Sequence, residues 1–256
     1  MTEKIQQYLQ QLEKEKNIKI LLACETGSRA WGFPSPDSDF DVRMLYVHKS
    51  DWYLSVSERK DSIERMSENR ELDIAGWELR KCLKLLRKSN AALLERIQSP
   101  ILYQMDDSFL EDIQAVARQH YSRIGTMHHY WSMAKKILES IDADKPYKLK
   151  SFFYALRTAC VCQWILEREE MPPIEFAKVY QQLDIDRSLV NRIEELIALK
   201  ATKSESYLHT GEAELIALMH QFVNQAEAEK QTLPPGRGDA EKLDQLLQTY
   251  IRKYDH

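Results

Sequence analysis

The chain has 256 residues, 30% of them charged and 43% hydrophobic, with a formal charge of -4. That length suits one large domain or two ordinary ones with a sizeable core. The acidic balance excludes a generic polyanion binder, whose surface must be basic, and leaves room only for a local basic patch. Four cysteines, Cys24, Cys82, Cys160 and Cys162, form no CxxC pair and do not supply the ligands of a structural zinc site. They read as reduced thiols of a cytoplasmic protein. The stretch from Met1 to Gln7 is polar, so no signal peptide is expected, and no apolar run approaches the roughly 20 residues that span a bilayer.

Ile5, Tyr8, Leu9 and Leu12 fall at helical spacing among polar residues, which predicts an amphipathic helix over 3–16. Ile18 to Cys24 is an apolar run rich in β-formers and predicts a buried strand. Residues 27–39 gather Gly, Pro and Ser and predict a loop with room for one helical turn. Phe40 to Val47 predicts a second strand, whereas the polar stretch 51–69 is ambiguous. Leu72 to Ala75 predicts a third strand, with Ser62 to Glu64 as its pairing candidate. From Trp77 the period turns helical, first through Leu79, Leu83 and Leu86. Residues 107–139, 149–168, 186–201, 211–230 and 240–253 also read as helix, with breaks at Pro172-Pro173 and Pro234-Pro235-Gly236. The strong β signal lies before residue 77. The expected fold is therefore α+β, an N-terminal mixed sheet with flanking helices at 1–110 followed by a helical domain at 111–256.

The chemistry is concentrated between Gly27 and Val42. Asp39 and Asp41 open a predicted strand, where alternate side chains share a face, so their carboxylates lie close and repel unless a cation joins them. Magnesium favours such oxygens, and manganese is its usual substitute. Gly27-Ser28 follows a buried strand. Glycine lets backbone approach a ligand, free N–H groups at a turn attract phosphate, and the Ser28 hydroxyl adds a donor. In-line phosphoryl displacement on two metal ions about 3.5–4 Å apart calls for a third carboxylate. Asp73, between Leu72 and Ile74 on a strand, is the best candidate; Glu71 is its neighbour alternative and Glu78 stands at a helix start. A lone Asp-x-Asp is usually solvated and a lone Gly-Ser is usually a turn. A buried strand, Gly-Ser, ten residues and then Asp-x-Asp opening another strand is a much rarer combination.

This segment resembles the signature of the DNA polymerase β nucleotidyltransferase superfamily. It is most similar to the bacterial RlaP family, which is predicted to act in RNA repair. The family's Ser-Arg-Ala-Tyr-Gly-Phe stands here as Ser28-Arg29-Ala30-Trp31-Gly32-Phe33, with Trp31 for Tyr. Its Ser-Asp-x-Asp-x-Arg stands as Ser38-Asp39-Phe40-Asp41-Val42-Arg43. Leu72 to Leu79, Ser89-Asn90, Glu95, Ser99-Pro100, Pro172-Pro173 and the stretch Lys150 to Arg157 also match, the last with Phe152 for a Tyr. The likeness spans about residues 20–180. It implies a nucleotidyltransferase-type sheet and transfer of a nucleoside monophosphate from an NTP to an acceptor hydroxyl, with an RNA end as the suggested acceptor. Asp39, Asp41 and Asp73 would be catalytic and hold two magnesium ions. Gly27, Ser28, Arg29, Ser38, Arg43, Lys150, Tyr154 and Arg157 would meet the nucleotide.

Lys150, Tyr154 and Arg157 stand at i, i+4 and i+7 and share a helical face, whose default reading is a solvated one. Arg80, Lys84 and Arg87 line another such face, with a phosphate track as the functional alternative. Arg43 keeps the period of Asp39 and Asp41 and can reach a phosphate or a carboxylate. His128 and His129 point different ways on a helix and read as packing or surface residues. Rival functions are AMP transfer to a protein, nucleotidyl transfer to a small molecule, and an inactive nucleotide-binding or antitoxin-like module. Three intact carboxylates argue against the last. No membrane partner is expected.

Overall fold

The structure, a computed structural model, describes residues 1–67 and 71–255; part of the ambiguous 51–69 stretch, positions 68 and 69, lies outside the described residues. Along the chain come α1 (Thr2–Lys16), β1 (Ile18–Glu25), α2 (Gly27–Trp31), β2 (Phe40–His48) and α3 (Ser50–Tyr53). β3 (Ser62–Met66), β4 (Leu72–Glu78), α4 (Leu79–Arg87), α5 (Ala91–Arg96) and β5 (Leu102–Met105) follow. Then come α6 (Asp107–His120), α7 (Arg123–Leu138), β6 (Tyr147–Lys148), α8 (Leu149–Glu167) and α9 (Phe176–Tyr180). α10 (Arg187–Lys200), β7 (Leu208–His209), α11 (Ala213–Glu229) and α12 (Ala240–Lys253) complete the order.

The chain forms two units, one of Met1–Gly27, Asp39–Tyr121 and Arg237–His256, the other of Ser28–Ser38 and Ser122–Gly236. The first unit is built on a mixed five-stranded sheet in the order β3-β4-β2-β1-β5. β2 and β4 run parallel, and the other pairs are antiparallel. The helix α1 forms because Ile5, Leu9 and Leu12 repeat on one face, and all three are buried. They pack with Val42, Met44, Tyr46 and Ile74 in the core under one face of the sheet. α4 buries Leu79, Cys82, Leu83 and Leu86, and the Glu78 carboxylate caps it by accepting from the backbone of Arg80 and Lys81. α12 returns to this unit, packs against α4 and α6, and donates a hydrogen bond from Tyr250 to Asp112.

In the second unit, α7, α8 and α11 pack together. α8 is buried along most of its length, from Phe152 to Ile165. Its last carbonyls would be orphaned at a helix end, and the Arg123 guanidinium satisfies them by donating to Ile165 and Leu166. Segment 28–38 belongs here through its aromatic residues: the Phe33 ring stacks on Phe153 at 5.0 Å and meets Phe176 edge-on at 5.8 Å.

The fold class is thus α+β, as expected. Ser62 to Met66 does pair with the Asp73 strand, with Ser62 opposite Trp77. Three details differ from the sequence reading. The helix expected over 107–139 is two helices, because Ser122 caps a new start by accepting from Gly125. β5 adds a strand after residue 77, and α5 is a six-residue helix too short to carry a period.

Candidate functional site

In the first unit, Asp41 and Asp73 are register partners on the parallel strands β2 and β4. Residues in register on neighbouring strands project to the same face. The third group there is Arg43, two residues on from Asp41 and so on that face as well. Its guanidinium donates to Asp41 Oδ1 at 2.8 Å and to Asp73 Oδ2 at 2.7 Å. It also donates to the Asp73 carbonyl at 2.9 Å. Opposite Arg43 on β4 stands Ala75, whose small side chain leaves space for the guanidinium.

The position of Asp41 is tightly specified. Its N–H donates to Glu25 Oε1 at 2.7 Å, and its carbonyl accepts from the Thr26 N–H at 3.0 Å and the Thr26 hydroxyl at 3.2 Å. Glu25 is fully buried, and the Tyr103 hydroxyl donates to its other oxygen. Gly27 has φ +66, and a Cβ there would overlap Asp41 Oδ2. Glycine is therefore required both for the backbone conformation and for the close approach of the carboxylate.

Asp39 stands exposed just ahead of β2, Glu71 is exposed just ahead of β4, and Glu78 is buried as the cap of α4. Among the described residues no group of three or more His, Cys, Asp or Glu side chains is arranged to hold a metal ion. The pair Asp41 and Asp73 nonetheless has the donor chemistry of a hard cation site, and a cationic side chain, Arg43, already stands between the two carboxylates. These two carboxylates are the side chains that could hold a divalent cation there.

In the second unit, Ser28, Arg29 and Ser38 meet one another. Ser28 donates to Ser38 Oγ at 3.2 Å, and Arg29 donates to the Ser38 carbonyl at 2.7 Å. Ser38 in turn donates to Glu205 Oε1 at 3.0 Å, and Lys150 donates to Glu205 Oε2 at 2.7 Å. Tyr154 packs edge-on against Trp31 at 4.9 Å. The Arg157 guanidinium lies 4.3 Å from the centre of the same ring. The three residues of the α8 face, expected as nucleotide contacts, therefore all adjoin segment 28–38 or its partner Glu205. Arg157 is only 2% exposed, so its geometry is that of a residue holding Trp31 in place.

Elsewhere, Lys84 and Arg87 are exposed on α4, while the Arg80 guanidinium lies over the Tyr53 ring at 4.9 Å. His128 and His129 are exposed on α7. The four cysteines are free and buried, and burial pushes the Cys24 thiol up to about 12. Sequence reasoning missed Glu25, Glu205 and Lys200. Glu25 carried a usable signal, a carboxylate directly after the apolar run Ile20 to Cys24. Glu205 sits in a polar turn, which gives no local sign of its role.

The model of the RNA repair pathway DNA polymerase beta family, RlaP, matches residues 1–249. A Bacillus subtilis (strain 168) protein, described as uncharacterized protein YcgL, is 36% identical over 252 residues, covering 96% of this chain and 95% of its own. A solved nucleotidyltransferase-like protein from Exiguobacterium sibiricum 255-15 aligns with 98% of this chain and 81% of its own, at 11% identity and a TM-score of 0.33. Among the described residues no helix is long and apolar enough to cross a membrane.

Proposed function

This chain belongs to the RlaP family, the RNA repair pathway DNA polymerase beta family, and we propose that it moves a nucleoside monophosphate from an NTP to the hydroxyl of an RNA end. The observation that carries this reading is the in-register pair of Asp41 and Asp73, joined by a cation on one sheet face. The acceptor oxygen bonds to the α-phosphorus, the bond from that phosphorus to the β-phosphate oxygen breaks, and pyrophosphate leaves. Asp73 takes the acceptor proton. Asp41, fixed by Glu25 and Thr26, keeps its carboxylate within reach of the reacting phosphate. Asp39, Asp41 and Asp73 would hold magnesium, or manganese in its place, and the bound ion would supply charge neutralisation at the phosphates. Ser28, Ser38, Arg29 and Lys150 seat the triphosphate, and Tyr154 and Arg157 position them through Trp31.

The RNA acceptor is supported by the family description and by α4, which exposes Lys84 and Arg87 and holds no acidic residue. Four free, buried thiols support a cytoplasmic location. One observation favours a second reading: a guanidinium already joins the carboxylates, as it would in a binding module that has given up catalysis.

The test incubates the protein with each labelled NTP, magnesium or manganese, and RNA bearing a free 3′ hydroxyl. Transfer is expected, and Asp41→Asn and Asp73→Asn should each abolish it. Asp73→Asn should keep most of the nucleotide binding, because its loss falls on the transition state. No transfer with any NTP and any acceptor, RNA, protein or small molecule, would favour the binding module.

A further inference from the structure

Two of the donors assigned to the triphosphate, Ser38 and Lys150, are already engaged, and their shared partner is an anion of the protein itself. The Glu205 carboxylate takes the Ser38 hydroxyl on one oxygen at 3.0 Å and the Lys150 ammonium on the other at 2.7 Å. Ser28 reaches the same anion through Ser38. A carboxylate oxygen and a phosphate oxygen accept from the same hydroxyls and ammonium groups at the same distances. We infer that Glu205 is an internal stand-in for phosphate: it holds Lys150 and Ser38 before the triphosphate arrives, gives way to it, and returns as pyrophosphate leaves. The inference rests on reading segment 28–38 and Lys150 as the seat of the triphosphate.

Three features fit an anion built to leave. Its backbone is anchored independently of its side chain, because the Glu205 N–H donates to the Asp37 carboxylate at 2.9 Å and the turn closes from Tyr207 to Ser204 at 3.0 Å. Its side chain is 24% exposed, so it can rotate into water, where the lost pair is partly replaced by hydration. The basic side chain it leaves behind is fixed in place. Lys200 is 1% exposed and donates to Ser35 at 2.9 Å, so it cannot follow Glu205 out. Burial and the neighbouring Lys150 charge lower its pKa, and the Glu205 and Asp37 charges oppose that effect. With Glu205 turned away, the charges of Lys150 and Lys200 outweigh that of Asp37, a surplus that a polyphosphate satisfies better than one carboxylate does.

The device would make the site selective. A single phosphate gains little by exchanging with a carboxylate of like strength, whereas a triphosphate brings further oxygens to the remaining donors. It would also weaken the hold on the pyrophosphate product.

The experiment titrates the full-length protein calorimetrically with inorganic tripolyphosphate, pyrophosphate and ATP at fixed ionic strength. Glu205→Gln removes the charge and keeps the shape. It should tighten all three by about tenfold, the worth of a partly buried charge-assisted hydrogen bond. Lys150→Ala should weaken them, and in the double variant the gain from Glu205→Gln should shrink, because Ser38 is then the one donor left to compete for. Pyrophosphate should also inhibit Glu205→Gln more strongly than the parent. Unchanged or weaker binding by Glu205→Gln, with Lys150→Ala still weakening it, would overturn the stand-in and leave the nucleotide site intact. Loss of effect in both variants would remove the site reading as well. A Glu205→Gln chain that cannot fold would also overturn the proposal, since an anion that must leave cannot be indispensable to the fold.

Discussion

Replacing Gly27 by alanine probes the carboxylate position without touching a carboxylate. Two costs follow from the geometry. The φ of +66 places an L-residue in the left-handed region, at about 1–2 kcal/mol. The new Cβ also overlaps Asp41 Oδ2 and sits 3.4 Å from Cγ, so Asp41 must rotate or shift. It cannot shift as a rigid strand, because Glu25 and Thr26 hold its backbone on both sides. The side chain turns instead, and its 2.8 Å bond to Arg43 breaks, which adds about 1 kcal/mol for a pair one-third exposed. Gly32→Ala is the control. Nothing lies within 4 Å of its Cβ, so it carries backbone strain without an overlap, and more of that strain than Gly27 because a φ of +94 lies beyond the left-handed well. Urea unfolding should therefore show both variants less stable than wild type, Gly27→Ala through the overlap and Gly32→Ala through the greater strain. In the transfer assay the two should separate. A carboxylate misplaced by about 1 Å costs on the order of a hundredfold in rate, and Gly32→Ala suffers no such displacement. Equal transfer in the two variants would refute the idea that close approach to Asp41 is what Gly27 provides.

Arg43→Ala leaves two carboxylates facing each other, so the variant should melt lower in EDTA and regain stability in millimolar manganese more steeply than wild type does. A melting point that ignores manganese would show that no cation replaces the guanidinium. Charge reversal at Lys84 and Arg87 should weaken RNA binding evenly across sequences and lower the salt slope by about 1 for each phosphate no longer neutralised, read from filter binding at several salt concentrations. Burial holds His48, stacked on Trp52 at 4.4 Å, down to about 4. A base whose folded pKa lies below its unfolded one contributes stability in full above the unfolded value, about 6.5, and loses it as pH falls through that value toward 4. His48→Gln should flatten the fall in urea midpoint over that window, by about 1 kcal/mol once exposure of the half-buried ring is allowed for.

The site was readable in sequence where spacing alone fixes geometry. Asp41 and Arg43 share a face because strands have a period of two, and Asp73 read as a strand residue because Leu72 and Ile74 flank it. That β2 and β4 run parallel with Asp41 beside Asp73 was not readable, since register depends on the connection between them. The charge on Glu25 hid the last residue of β1, although that carboxylate is buried and bonded to Asp41 and Tyr103. Spacing gave Arg157 a solvated face with Lys150 and Tyr154, and the family resemblance made it a nucleotide contact, but that face of α8 meets Trp31. Helical period says which residues share a face and nothing about what covers it.

The same electrostatic problem is met in each unit taken by itself. Asp41 and Asp73 would repel without a cation, and Lys150 would add its charge to that of the buried Lys200 without an anion. Each group is neutralised from within, by Arg43 in one unit and Glu205 in the other. Such pairs keep the ligand-free protein from straining against its own charges, and they pre-set the rotamers of the residues that would meet the ligand. They also reduce net affinity, because each ligand must exchange with a group already in place rather than fill a bare site. Removal of either internal partner should then have opposite effects on two measurements: tighter binding of the matching ligand and lower stability in its absence. An ordinary surface ion pair would move neither by much. That opposition separates a counterion held in reserve from a salt bridge that merely decorates the fold.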